Sequence, residues 1–198
     1  MARPRKSSVP PQVVNRETID EVAKRLFSTK GFADTSMHDI AQELGVQRGS
    51  LYHHIESKDL LLLDMVEESV NILLSRLGRA LDNAVPADEK LKLYFMVGFE
   101  SIASRQQETL IWISERHLVS KMLGPSMDKG RSVDKLLMDI IEEGIATNCW
   151  APRDKDLSYQ VIRGMVAWFP YWYRSDGRLS VAEISSSMAR WAIQVLKQ

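Results

Sequence analysis

The chain of 198 residues is 44% hydrophobic and balances 26 Lys and Arg against 26 Asp and Glu, a composition too apolar and too neutral for a disordered chain. Its single cysteine, Cys149, excludes an internal disulfide and a Cys-based zinc cluster, and points to a reducing, cytoplasmic compartment. The basic N-terminus has no apolar run behind it, and no uncharged stretch approaches the roughly 20 residues of a membrane helix, so neither a signal peptide nor a membrane span is expected.

Residues 1–14 read as a flexible, Pro-rich arm carrying Arg3, Arg5 and Lys6, a candidate for minor-groove or phosphate contact or for plain disorder. After Asn15, Ile19, Val22, Ala23, Leu26 and Phe27 repeat at helical spacing until Lys30-Gly31, which predicts a first helix. Ser36 with Asp39 has the spacing of a cap pair for a second, short helix that Gly45 ends, and Gln47 to His53 suits a third of about two turns. Ser57 then caps a long fourth helix through Leu61, Val66, Ile72 and Leu77. Beyond Pro86, helices are predicted from Leu91 to Ser104, from Thr109 to a break at Gly124-Pro125, and through Leu136 and Ile140 to Thr147, with Asn148 as a left-handed cap. Asp156 is expected to cap a helix over Leu157–Arg174, and Ser180–Lys197 forms the last. The fold class is therefore all-α, with no strand required.

The two parts differ chemically. Residues 1–58 hold nine Lys or Arg against seven Asp or Glu and three of the four histidines, whereas all five tryptophans and seven of nine methionines lie beyond. The first part suits a surface reader and the second an enclosure for something apolar.

The stretch Gly31 to Leu61 carries the clearest signal. Gly31, Thr35-Ser36, Ile40-Ala41, Gly45-Val46, Gly49, Leu51-Tyr52, His54 and Ser57-Lys58 stand at the spacing of the TetR family of bacterial transcription regulators, which this region resembles over about thirty residues. It departs at Ile55, where the family commonly has Phe, another apolar residue. The resemblance implies a three-helix helix-turn-helix domain over residues 15–58, followed by a larger helical bundle over residues 59–198 for ligand binding and dimerisation. The physical chemistry agrees: Val46 and Leu51 supply an inward face, and polar residues at the start of the short third helix are placed to reach base edges in a major groove. Gln47 and Arg48 are the expected base readers, because Gln pairs bidentately with adenine and Arg with guanine. Gly49, which lets backbone approach the duplex, and His53, one turn on, join them. Ser36, Tyr52, His54 and Lys58 are implied as phosphate contacts, with packing the competing role for Tyr52. His53 and His54 diverge on a helix and lack a third ligand, so no metal or cofactor is expected.

One helix-turn-helix makes a small footprint, so a homodimer reading two half-sites of a palindromic DNA operator is expected. Ile184, Met188, Trp191 and Val195 on the last helix are its interface candidates, with intrachain core as the competing role. Met96, Phe99, Trp112 and Trp168 offer an adaptable apolar lining for a small hydrophobic ligand, although core packing explains each equally well. Arg116 and Arg163 are candidate cationic contacts, and Pro170 in Trp168-Phe169-Pro170-Tyr171-Trp172 is expected to bend its helix. The segment Trp168 to Ser180 resembles TetR members that respond to acyl-CoA thioesters of fatty-acid or steroid catabolism, which implies a ligand-released repressor. The alternative is an efflux-type repressor sensing amphipathic or cationic compounds, for which Glu100, Glu108 and Glu115 are candidates. A helical enzyme or carrier is disfavoured, since no GxSxG, GxxxxGK or HExxH pattern occurs.

Overall fold

The computed structural model describes residues 15–81, 84–123, 128–151 and 154–197, apart from the side chains at 123 and 128–132. The arm with Arg3, Arg5 and Lys6, the Gly124-Pro125 break and Pro152 lie outside the described residues. Among the described residues every regular element is a helix, and the chain divides into two compact units, Met1–Met65 and Val66–Gln198.

The first unit contains α1 (Arg16–Lys30), α2 (Met37–Glu43), α3 (Arg48–Tyr52) and the start of α4 (Lys58–Leu81). Local chemistry sets each boundary. Asn15 and Thr18 close a capping box on α1, and Ser36 and Asp39 close another on α2, so the first orphan amides of both helices are satisfied. Gly31 (φ 92°) and Gly45 (φ 69°) occupy backbone conformations that side chains other than glycine's resist, which is where the chain turns out of α1 and α2. The α1 stripe buries Ile19, Ala23 and Phe27. Phe27 meets Phe32 edge to face at 5.0 Å, and Ile40, Leu51 and Leu61 are fully buried. Leu62 and Met65 are buried as well, and the first compact unit runs to Met65.

The second unit contains the rest of α4 with α5 (Ala87–Ser104), α6 (Gln106–Ser114), α7 (Arg116–Leu123), α8 (Asp128–Ala146), α9 (Lys155–Trp172) and α10 (Val181–Lys197). The segment expected to start at Thr109 begins three residues earlier and divides at Glu115 into α6 and α7. Asp154, not Asp156, caps α9: its Oδ1 accepts from the amides of Asp156 (2.9 Å) and Leu157 (3.0 Å). Helix α5 is the central element, packed against α8, α9 and α10. Its Phe95 and Phe99 stack at 5.6 Å, and Phe99 meets Phe169 of α9 at 4.3 Å. All three rings are fully buried, each contributing about 1.5–3 kcal/mol by its removal from water. Pro170 does not end α9, which continues to Trp172. The Gln106 amide donates to the carbonyls of Pro170 (2.8 Å) and Tyr173 (2.9 Å) and so satisfies the end of that helix.

After α8 the chain reverses at Asn148 (φ 54°), and the amides of Cys149 and Trp150 both donate to the Gly144 carbonyl, an αL helix termination. The Trp150 ring lies directly on Gly144: a β-carbon there would stand 2.2 Å from it. Asp88 at the start of α5 accepts from the Trp150 indole N–H, the Cys149 thiol and the Lys197 ammonium. Burial pushes the Asp88 carboxyl up, but these three donors together hold it below its usual value.

Candidate nucleic-acid interface

Helix α3 has five residues and a single buried one, Leu51. That side chain anchors the helix, and Ile55, also buried, anchors the turn after it. Gln47, Arg48, Gly49 and His53, the expected base readers, are all exposed, as are Ser50, Tyr52 and His54. Gln47 is the residue before the helix, with extended backbone and a side chain that makes no cap hydrogen bond. Arg48 Nε and Nη2 donate to the Tyr52 hydroxyl at 3.2 and 2.8 Å, and the guanidinium carbon lies 5.3 Å from the Tyr52 ring centre.

The start of α2 flanks this helix. The Ser36 hydroxyl donates to Asp39 Oδ2 (2.6 Å) and accepts from the Asp39 amide (3.2 Å). The Ser36 hydroxyl and amide, with Lys30 at 3.0 Å, hold the Asp39 carboxyl far below the ordinary range. Ser36, Arg48, Tyr52, Ser57 and Lys58 line one open groove, together with Asp34 and Glu56. The expected phosphate contacts Ser36, Tyr52 and Lys58 are thus brought together with Arg48, one of the expected base readers, while His54 stands outside that lining.

Lys58 has a different geometry from the one anticipated. Its Nζ donates to the carbonyls of Phe32 (2.8 Å), Ala33 (3.1 Å) and Thr35 (2.8 Å) and lies 4.6 Å from the Phe32 ring centre. An ammonium has three donors, and all three point into the α1–α2 turn rather than outward to a phosphate. Thr35, to which the sequence assigned no role of its own, is fully buried and donates to the Gly31 carbonyl at 2.7 Å. A threonine four residues after a helix-ending glycine is the available signal.

In the second unit the candidate ligand residues divide. Phe99 belongs to the aromatic core, Trp112 is half-buried on α6, and Arg116 lies at the start of α7. Met96 is exposed on α5, and Trp168 is 64% exposed on α9, where it stacks on Tyr171 at 5.0 Å. In this conformation Phe99 therefore packs as core and Met96 and Trp168 lie on the surface, because α5 and α9 meet through their Phe95, Phe99 and Phe169 faces. Arg163 Nε donates to Asp134 Oδ1 at 3.3 Å. Nearby Tyr159 is pushed up to about 12, by burial first and then by Asp134.

An apolar groove runs between α9 and α10, lined by Leu157, Val161, Ile162, Ala192, Val195 and Leu196 with Asp154 and Ser158. Of the expected interface residues, Trp191 (54%) and Val195 (45%) are exposed, whereas Ile184 is buried and Met188 packs half-buried against the core. Ile184 and Met188 thus follow the intrachain role, since α10 turns that side to α5. The α10 start has a capping box absent from the sequence expectations: Ser180 and Glu183 bond reciprocally, and the S-x-x-E pattern is its readable signal. No helix in the described residues is long and apolar enough to cross a membrane.

Residues 19–65 match the model for bacterial regulatory proteins of the tetR family, and residues 84–196 match that for the tetracyclin repressor-like C-terminal domain. The chain is 31% identical over 174 residues to the HTH-type transcriptional repressor KstR2 of Mycolicibacterium smegmatis, covering 85% of this chain and 84% of the relative. KstR2 of Mycobacterium tuberculosis is 28% identical over 167 residues, 83% of this chain and 84% of the relative. A solved structure described as that of the ketosteroid transcriptional regulator KstR2 of Mycobacterium tuberculosis superposes with a TM-score of 0.86 at 26% identity over 96% of this chain and 100% of the other. The structure of AibR in complex with isovaleryl coenzyme A and operator DNA shares the fold, with a TM-score of 0.76 at 21% identity over 89% and 96% of the two chains. With both domain models matched in order and the exposed third helix in place, the chain belongs to the TetR family of bacterial regulatory proteins.

Proposed function

We propose that this protein is a cytoplasmic, homodimeric transcriptional repressor that occupies a palindromic operator and is released by an acyl-CoA thioester of lipid or steroid catabolism. The observation that carries the DNA-binding part is α3: a short helix held by one buried leucine, with Arg48, Gly49 and His53 open to solvent and Gln47 at its leading end. Gln and Arg at the leading end of such a helix match the edges of adenine and guanine in a major groove. His54, exposed after α3, is a phosphate contact, and the start of α2 just after Ser36 supplies backbone amides for another.

Dimerisation is supported by the exposed apolar face of the last two helices. Leu157, Val161 and Trp168 on α9 and Trp191 and Val195 on α10 are exposed large apolar side chains, and three of them line or border one groove. An apolar patch of this kind marks an association surface. A second copy pairs there as a four-helix arrangement, and two copies supply two α3 helices for half-sites one or more DNA turns apart, roughly 34–36 Å per turn.

The thioester class is supported by what relatives are named for: KstR2 as a ketosteroid regulator, and AibR in its complex with isovaleryl coenzyme A. The cation-sensing alternative loses one of its candidates, because Glu100 is already paired with Arg76 at 2.6 Å. Release works as a population shift. Arg105, at the α5–α6 junction, donates to Ser69 of α4 at 3.1 Å and pairs with Glu68, so a rearrangement of that junction reaches α4, the helix that also begins in the DNA-reading unit. A coupling of about 1–3 kcal/mol suffices for a clear change in occupancy.

The test is fluorescence anisotropy of the protein on DNA from upstream of its own gene, titrated with long-chain and steroid-type acyl-CoAs, free CoA and a cationic dye. Release by thioesters alone is expected. Retained DNA binding with release only by the dye overturns the ligand class, and no DNA binding at all in any upstream fragment overturns the operator reading.

A further inference from the structure

Arg48 is held by a neutral partner. It opens α3 and Tyr52 closes it, four residues on and therefore on the same face. The Nε and Nη2 hydrogens, one edge of the planar guanidinium, both go to the Tyr52 hydroxyl at 3.2 and 2.8 Å, and the ring supports the cation from beside it at 5.3 Å. Among the described residues Arg48 forms no ion pair, so its full charge is retained. The other edge of the guanidinium, Nη1 with the second hydrogen of Nη2, is the one left unengaged.

We infer that Tyr52 is a positioning residue for base reading, which orients Arg48 so that its free Nη1–Nη2 fork meets the O6 and N7 acceptors of a guanine. This rests on the DNA-reading role proposed for α3. The chemistry favours a phenol for the task. A carboxylate holder would neutralise the cation and impose a charge-assisted bond that DNA must break. The phenol fixes the direction and leaves the charge for the duplex. An arginine ordered before binding loses less side-chain freedom when it docks, so the hydroxyl raises affinity for the cognate base without having to touch DNA itself.

A thermodynamic cycle separates this role from an ordinary phosphate contact. A duplex is selected by the wild-type protein from a random-sequence pool, and binding is compared for Tyr52→Phe, Arg48→Ala and the double variant on that duplex and on an unrelated one. Tyr52→Phe keeps the ring and removes only the hydroxyl, and both side chains are exposed, so the fold is retained; circular dichroism melts check this. Tyr52→Phe is expected to weaken the selected duplex by roughly threefold to tenfold, to leave the unrelated duplex unchanged, and to cost nothing further once Arg48 is alanine. Pools reselected with Tyr52→Phe should show a relaxed preference at one guanine per half-site. Equal losses in both backgrounds and on both duplexes would make Tyr52 a phosphate contact and overturn the inference. Unchanged binding by Arg48→Ala would instead remove the base-reading role of α3 on which the inference rests.

Discussion

Replacing Lys58 with methionine keeps most of the aliphatic stem and removes the ammonium. The three carbonyls it serves belong to Phe32, Ala33 and Thr35, and two of these residues, Phe32 and Thr35, are buried. A hydrogen bond to a charged group contributes about 1.5–3 kcal/mol, and water recovers part of that where it reaches the turn. Allowing about 1 kcal/mol for each of the two sheltered carbonyls and about 0.5 kcal/mol for the cation–π attraction to Phe32 gives a destabilisation of about 2–3 kcal/mol. Urea unfolding of the full chain, followed by circular dichroism, reads it. The same variant should leave the dependence of log K on log salt unaltered in DNA binding, because an ammonium turned into the protein neutralises no phosphate. A phosphate-binding lysine would behave in the opposite way: stability unchanged, and the salt slope shallower by about 0.9 for each phosphate no longer neutralised. That second pattern would refute the structural role.

Gly144→Ala should destabilise the second unit by about 1–3 kcal/mol, since the new methyl meets the Trp150 ring, whose indole is fixed on Asp88. A lowered thermal midpoint with altered tryptophan fluorescence is the expected readout. Asp39→Asn tests the α2 capping box. The Asp39 carboxyl is depressed in the folded chain, so its contribution is complete above the unfolded value near 3.8 and declines as pH falls towards the folded one. Wild type should therefore exceed the variant in urea stability at pH 7, with the gap narrowing only below about pH 4. Trp191→Glu puts a charge on the exposed α9–α10 face and should convert the proposed dimer to monomers in sedimentation equilibrium while leaving helix content unchanged.

Where a boundary is set by neighbours within four residues, the sequence is readable. Asn15, Ser36, Gly31, Gly45 and Asn148 each act on the adjacent backbone, and each stands where the residue type requires. The cap of α9 is not readable in this way, because Asp154 and Asp156 are chemically equivalent within one turn and only the final backbone path decides between them. The division at Glu115 has no glycine or proline to announce it. Lys58 points inward because its partners lie 23 to 26 residues upstream, a separation at which side-chain type does not indicate direction. Ile184 and Trp191 share one apolar pattern on α10, and only the packing of α5 separates the core residue from the exposed one. The outward set on α3 is legible because polarity over a buried Leu51 is a local property; the Arg48–Tyr52 pairing is not, because either residue alone has several partners within reach.

The carboxylate of Asp88 joins residues far apart in the chain: Cys149 and Trp150 some 61 and 62 positions on, and Lys197 at a separation of 109. The first unit closes over shorter spans, such as the 48 positions from Arg16 to Asp64. During synthesis the DNA-reading unit can close as soon as its own residues clear the ribosome, whereas α5 waits for α10 with its central face unpaired. The two halves thus mature in sequence, and a stall before α10 would leave a finished reader attached to an open, aggregation-prone bundle. Removal of the last turn of α10 should accordingly lower the yield of folded protein before it affects recognition of DNA.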